Sequence, residues 1–138
     1  MPIEHELQGD GQVIYFKLRD PWTLEEMFKG FAATTALRDH SYQQDPTRRI
    51  HTLVDLMETT NPPPTVMQGR KIPGLMHPTG GEIVVAVKHE YPRSIVRAML
   101  RVMHAEGHFY ESLDAAWEYL RTIIAKTPVS GDAENKTT

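Results

Sequence analysis

The sequence predicts one α/β domain whose elements follow the order ββαβαβαβα and form a mostly parallel mixed sheet with flanking helices. Short apolar runs rich in branched residues alternate with longer segments of helical periodicity, which is typical of βαβ crossovers. Near the start, two strand-like runs flank the turn residues QGDG, which predicts an antiparallel hairpin. The 138 residues are 40% hydrophobic and 24% charged, a balance that fits a single folded domain of ordinary size.

The hairpin consists of IEHEL and QVIYFKLR on either side of that turn. Because successive side chains of a strand point to opposite faces, the second run presents two alternate sets. They are Val13, Tyr15 and Lys17 on one face, and Ile14, Phe16 and Leu18 on the other.

A first helix is predicted over residues 20–40. Thr23 and Glu26 have the spacing of a capping box, in which each side chain bonds a free backbone N–H at the helix start. An apolar stripe at helical spacing is expected to face the core. Its members are Leu24, Met27, Phe28, Phe31, Thr34, Thr35 and Leu37.

The middle of the chain joins a buried strand to a stiff loop. IHTLVDL, residues 50–56, predicts a short strand. From Met57 to Gly81 the chain holds five of its ten prolines and four of its nine glycines, and a short helix is expected to begin near Thr65. Ligands and partners of open α/β sheets collect beyond the carboxyl ends of the strands. The segment after this strand is therefore a candidate working surface.

The remaining residues continue the alternation of strand and helix. GEIVVAVKH is a continuous apolar run, as expected for a strand covered on both faces. The next helix has Pro92 near its start and Gly107 as its stop. HFYES predicts a last strand, and Ser112 is expected to cap the final helix. The domain is expected to cover residues 1–126, and the polar residues 127–138 predict a disordered tail.

Composition excludes several classes of function. The chain has no cysteine, which excludes disulfides, thiolate chemistry and iron–sulfur clusters. The net charge is −3 and the basic residues form no run, so nucleic-acid binding is not expected. The histidines follow no zinc motif and no phosphate loop is present, so neither a metal nor a cofactor is expected. The polar N-terminus and the lack of a long apolar run favour a cytoplasmic protein without a membrane span.

Three stretches suggest a family. PWTLEE opens the first helix, TLVDL lies in the middle strand, and FYESLDAAWEYL closes the domain. Together with the element order, over roughly residues 3–125, they resemble the bacterial STAS-like (SpoIIAA-like) domains. The resemblance implies a small α/β domain without catalytic machinery that acts through protein partners. In the anti-sigma-factor antagonists of that superfamily, a phosphorylatable serine follows the middle strand in a D-S-S-G-like turn, and no such turn is present here.

The stretch equivalent to that turn is DLMETTNPPPT, which begins at Asp55. Three consecutive prolines stiffen it, so its polar side chains could present a fixed pattern to a ligand or partner. A purely structural role, in which the prolines end a strand and the acids pair with nearby cations, is the alternative. The candidate binding residues of this loop are Asp55, Glu58, Thr59, Thr60, Asn61 and Thr65.

A second candidate surface is a basic helix face. Arg93, Arg97 and Arg101 recur at every fourth position, which places them on one side of the predicted helix, with His104 nearby. Such a face is suited to an acidic protein or a phosphate group, because guanidinium groups bind both through paired hydrogen bonds. A plain solvated face is the alternative.

Two main hypotheses for function remain open at this point. The first is a non-enzymatic regulatory domain that contacts another protein, or an identical subunit in a dimer, through the loop or the basic face. The second is a carrier or sensor of a lipid-like or nucleotide-like molecule. Its pocket would lie near the loop of residues 58–77 and would be lined by Met57, Met67, Leu75 and Met76.

Enzymatic chemistry is the third and weakest hypothesis. Asp55, Glu58 or His89 could act as an acid or a base at the carboxyl end of a strand. Spacing alone groups no acid, base and nucleophile, so no catalytic residue is assigned.

Overall fold

The structure, a computed structural model, describes residues 3–8, 12–60, 80–102 and 105–126. The predicted short helix near position 65 and the predicted tail of residues 127–138 lie outside the described residues. The elements are β1 (Ile3–Gln8), β2 (Val13–Arg19), α1 (Leu24–Gln44), β3 (Ile50–Glu58), β4 (Gly80–Ala86), α2 (Glu90–Val102), β5 (Gly107–Tyr110) and α3 (Leu113–Lys126). The predicted α/β class is confirmed.

The five strands form one mixed sheet in the order β1-β2-β3-β4-β5. β1 pairs antiparallel with β2, and every later neighbour pairs in parallel, as predicted. Parallel neighbours require crossover connections that return the chain to the same end of the sheet. The carboxyl ends of β3, β4 and β5 therefore lie at the same end of the sheet, so the residues that directly follow β3 and β4 lie close together.

One face of the sheet, here called the two-helix face, packs against α1 and α2. Alternate residues of β2 point into it, as the hairpin pattern predicts, and Phe16 stacks on Phe31 with 4.1 Å between ring centroids. Met99 brings α2 into the same cluster. This layer is the larger of the two cores, because two amphipathic helices bury their apolar stripes against one sheet face.

The opposite, one-helix face packs against α3. Leu53 and Val84 meet Ala116 and Leu120 there, and all four side chains are buried. Where the hairpin extends beyond α3, the face carries charged side chains in place of apolar ones. Those residues are Glu4, Glu6, Lys17 and Arg19.

The helix starts agree with the sequence. Thr23 and Glu26 form the predicted capping box, with N–H to side-chain oxygen distances of 2.9 and 3.0 Å. The Ser112 hydroxyl accepts the Ala115 N–H at 3.1 Å at the start of α3. These bonds satisfy N–H groups that a helix itself leaves without partners.

The buried stripe of α1 differs from the prediction at its C-terminal end. Leu37 is 37% exposed, whereas Arg38 is 2% exposed. The guanidinium of Arg38 donates to the Ile50 carbonyl at 3.3 Å and to the Thr52 hydroxyl at 2.6 Å. At 3.6 residues per turn the stripe runs through positions 27, 31, 34 and 38, so geometry brings the arginine inward, where both terminal nitrogens of its guanidinium bond to β3.

Candidate functional site

Asp55, the first residue of the candidate loop, is enclosed at the carboxyl end of β3. Its carboxylate accepts the Tyr15 hydroxyl at 2.5 Å and the Met57 N–H at 3.0 Å, and its side chain is only 2% exposed. Burial, together with the hydrogen bond to Asp55, raises the pKa of Tyr15. The tyrosine therefore stays a hydrogen-bond donor at physiological pH, and the pair fastens β2 to β3.

Glu58 lies on the exposed part of the one-helix face. It contacts Lys17 at 2.6 Å and Arg19 at 3.5 Å, and Arg19 also reaches Glu4 at 3.1 Å. The hydrogen bond from Lys17 lowers the pKa of Glu58. These contacts join β1, β2 and β3 in one surface network of alternating charge, whose members partner one another.

The two threonines that follow β3 also bond within the domain. The Thr59 hydroxyl donates to the Leu18 carbonyl at 2.7 Å and accepts the Trp22 Nε1–H at 3.2 Å, and the residue is fully buried. Thr60 bonds the Asp20 carboxylate through its N–H and its hydroxyl, both at 2.7 Å. The first part of the loop is thus attached to the end of β2.

The remaining predicted loop residues, Asn61 and Thr65, lie outside the described residues. So do three of the four residues expected to line a carrier pocket, at positions 67, 75 and 76. Met57 packs with the cluster beneath α3. The second hypothesis therefore stays a prediction.

An apolar cavity lies on the two-helix face, between the sheet, α1 and α2. Trp22, Val54 and Ile95 are among its lining residues, and its volume is about 50 Å³. Pockets for drug-sized ligands usually have volumes of about 300–1,000 Å³. This cavity is a packing gap in the core and has no room for a lipid or a nucleotide.

The predicted basic face divides into two parts. Arg93 is the inner part and is only 18% exposed. It contacts Glu90 at 3.1 Å, Glu111 at 3.7 Å and the Val87 carbonyl at 3.3 Å. Arg93 thereby connects the start of α2 to the end of β4 and to the residue after β5, and its charge is compensated locally.

Arg97 and Arg101 are the outer part of that face. Both are exposed, and neither forms an ion pair with a carboxylate of the described residues. The guanidinium carbon of Arg97 lies 5.2 Å from the centroid of the Phe109 ring, an arrangement that holds a cation over an aromatic face. The predicted fourth member, His104, lies outside the described residues.

These arginines line a depression beside the edge strand, with a volume of about 440 Å³. It is called the β5 groove, and its lining residues are Arg97, Leu100, Arg101, Ala105, Gly107 and Phe109. A Cβ at Gly107 would lie 2.5 Å from the Leu100 Cδ1 atom, so a larger residue there would require the leucine side chain to move. Among the described residues, none that lines the groove is a carboxylate, and their side chains are apolar or positively charged.

A polar cluster that the sequence analysis missed lies at the amino ends of β4 and β5. One Glu82 carboxylate oxygen contacts His108 Nε2 at 2.7 Å and accepts the Tyr119 hydroxyl at 2.5 Å. That hydrogen bond raises the pKa of Tyr119 to about 12. The Glu82 N–H also donates to His51 Nδ1 at 2.9 Å. No sequence motif joins these residues, because they come together only when β3, β4 and β5 pair and α3 packs against them.

Neither a metal centre nor a membrane span is supported by the described residues. No three acidic or histidine side chains in residues 3–8, 12–60, 80–102 and 105–126 are arranged to hold a metal ion. No helix in the same ranges is both long and apolar enough to cross a bilayer.

The pH dependence of stability gives a first prediction, which concerns His51. Its side chain is 3% exposed, and burial lowers its pKa. In the unfolded chain this histidine takes up a proton at pH ~6.5, whereas in the folded chain it does so only at a lower pH. The stabilisation that results from this difference is fully present above pH ~6.5 and is lost as the pH falls through the lowered pKa. We expect the free energy of unfolding, measured in urea, to decrease between pH 7.5 and pH 5.

The His51→Asn variant isolates this contribution, since the Asn side-chain oxygen occupies nearly the position of Nδ1 and does not titrate. It should show a weaker decrease over the same pH range. The matched control is His89→Asn at an exposed position, which should retain the wild-type dependence. An unchanged pH dependence in His51→Asn would contradict the assignment.

No family model, no curated protein and no solved structure matches this chain.

Proposed function

We propose that this chain is a non-enzymatic, STAS-like interaction domain that binds an anionic segment of a protein partner in the β5 groove. The observation that carries the proposal is the contrast within one helix face. Arg93 contacts two carboxylates, whereas Arg97 and Arg101 contact none among the described residues. The described residues that line the groove beside these two arginines include no carboxylate.

Electrostatics favours an external carboxylate at this place. Like charges one helical turn apart oppose each other by about 0.2–0.5 kcal/mol per pair in isolated helices. A bound carboxylate would relieve that repulsion and would form charge-assisted hydrogen bonds with the planar guanidinium groups. The Phe109 ring beneath Arg97 reduces the freedom of one of them before binding. Less side-chain entropy is then lost on association.

The same contacts argue against Asp55 and Glu58 as a catalytic acid or base. Asp55 is buried against Tyr15, and Glu58 is paired with two cations. His89 is exposed at the start of α2. A general acid or base must reach a substrate proton. The two carboxylates instead maintain the connection between neighbouring strands.

Site-specific photo-crosslinking in cells of the native host tests the proposal. A photoreactive amino acid placed at Ala105, inside the β5 groove, should yield a covalent adduct with a protein partner. The same amino acid placed at the exposed Glu118 of α3 should not yield that adduct. The adduct should disappear when Arg97→Glu and Arg101→Glu are added, because reversed charges repel an acidic partner.

Arg121→Glu is the matched control for those substitutions, since it reverses an exposed arginine on the other side of the sheet. It should leave the adduct intact. Two outcomes would refute the groove as the contact surface. Either the adduct is lost to the same extent in the groove variant and in the Arg121→Glu control, or it persists in both.

A further inference from the structure

The geometry points to an acidic, extended peptide that adds to β5 as a sixth strand, an inference that rests on the proposed function. β5 lies at the end of the strand order and pairs only with β4 within the described residues. An edge strand presents a row of backbone groups to which another chain can pair. The β5 groove runs beside that edge.

The backbone groups available for pairing follow from the register. The Tyr110 carbonyl accepts the Val87 N–H at 2.9 Å, so Tyr110 bonds toward β4. Alternate residues of a strand direct their N–H and C=O groups to opposite sides. His108 therefore bonds toward β4 as well, and the N–H and C=O groups of Gly107 and Phe109 point away from the sheet.

The spacing of the arginines matches the repeat of a strand. Side chains on one face of a strand recur every second residue, at about 6.6 Å. Arg97 and Arg101 are four residues apart on α2, which corresponds to a rise of about 6 Å. Carboxylates at positions i and i+2 of an added strand would therefore lie opposite successive arginines, and the backbone would bond at Gly107 and Phe109.

A second copy of this chain fits the edge less well. Antiparallel pairing of two β5 strands would keep both two-helix faces on the same side and bring Arg97 and Arg101 of each copy together. A β1 strand added antiparallel to β5 would turn Glu4 and Glu6 to the face opposite the arginines, and in the parallel orientation Glu4 would have to give up its contact with Arg19. Like charges across an interface oppose association. The occupant that fits is an acidic strand from a different protein.

Four fluorescein-labelled octapeptides test the inference by fluorescence anisotropy. The first alternates Glu and Thr. The second replaces each Glu with Lys. The third and fourth keep the Glu–Thr sequence but carry N-methyl groups either on every Glu or on every Thr. N-methylation removes one row of N–H donors and leaves the charge unchanged.

We expect the Glu–Thr peptide to bind and the Lys–Thr peptide not to bind. One of the two N-methylated peptides should bind at least about tenfold more weakly than its parent, because only one row of N–H groups faces β5. The other should bind nearly as well as the parent. Amide hydrogen exchange should slow at Gly107 and Phe109 when the parent peptide binds.

The variants defined above locate the site. Combined Arg97→Glu and Arg101→Glu should weaken binding of the Glu–Thr peptide at least about tenfold, whereas Arg121→Glu should change it less than twofold. Circular dichroism and thermal unfolding confirm that each variant is folded.

The outcomes separate this inference from the proposed function. Equal binding of all three Glu–Thr peptides would overturn strand addition and leave a contact based on charge alone. If the combined Arg97→Glu and Arg101→Glu substitutions leave peptide binding unchanged, the peptide binds outside the groove, and the inference is overturned as well. If no acidic peptide binds, strand addition is refuted, and the crosslinking experiment then decides the proposed function independently.

Discussion

The Phe16→Ala substitution is expected to lower the free energy of unfolding by about 3–5 kcal/mol. Phe16 is fully buried in the middle of β2 and stacks on Phe31 of α1 at 4.1 Å. Removing the ring leaves a cavity between sheet and helix, and a close-packed core collapses only partly into such a space. Urea denaturation monitored by circular dichroism measures the change.

Leu37→Ala is the matched control for this prediction. It truncates an apolar side chain of α1 that is 37% exposed, and alanine favours helix at least as strongly as leucine. Its effect should stay below about 1 kcal/mol. Comparable losses in the two variants would mean that the two-helix face is not packed as described, and the position of α2 and the β5 groove would then be in doubt.

The second large effect concerns the pair formed by Tyr15 and Asp55. Asp55→Ala is expected to lower the free energy of unfolding by about 1–3 kcal/mol, because it leaves the Tyr15 hydroxyl and the Met57 N–H without their shared acceptor. Tyr15→Phe removes only one of these two bonds and should cost less. The double variant should be more stable than the sum of the single effects predicts, since both substitutions remove the same hydrogen bond.

This cycle also separates a structural carboxylate from a functional one. Residues kept for binding or catalysis are often unfavourable for stability, so replacing them commonly stabilises a protein. A gain in stability for Asp55→Ala would therefore restore Asp55 as a candidate site residue. The expected loss, together with a measurable coupling to Tyr15, would establish that it fastens β2 to β3.

Local sequence patterns predicted the strands and helices because these elements depend mainly on interactions between residues close together in the chain. Alternation in the hairpin assigns Phe16 to one face, and the Thr23–Glu26 spacing assigns the start of α1. Each depends on residues a few positions apart. The buried stripe of α1 shows where prediction from local patterns fails. Hydrophobicity favoured Leu37 over Arg38, but the arginine finds partners on β3 twelve and fourteen residues away.

The candidate site was only partly predictable for the same reason. Spacing alone put Arg93, Arg97 and Arg101 on one helix face. It treated the three as equivalent, whereas contacts with Glu90, Glu111 and the end of β4 distinguish Arg93 from the others.

By itself, the sequence determined the α/β class, the hairpin, the helix caps and the helix face that carries the arginines. Only the tertiary structure decided which polar groups are already partnered. Asp55 contacts Tyr15, which is 40 positions away in the sequence, and Glu82 contacts Tyr119, which is 37 positions away. Periodicity is set by neighbours along one element, whereas the availability of a charged group depends on residues that strand pairing brings near it. For this reason the β5 groove, with two arginines and no carboxylate among the described residues that line it, could be identified only after the sheet was in place.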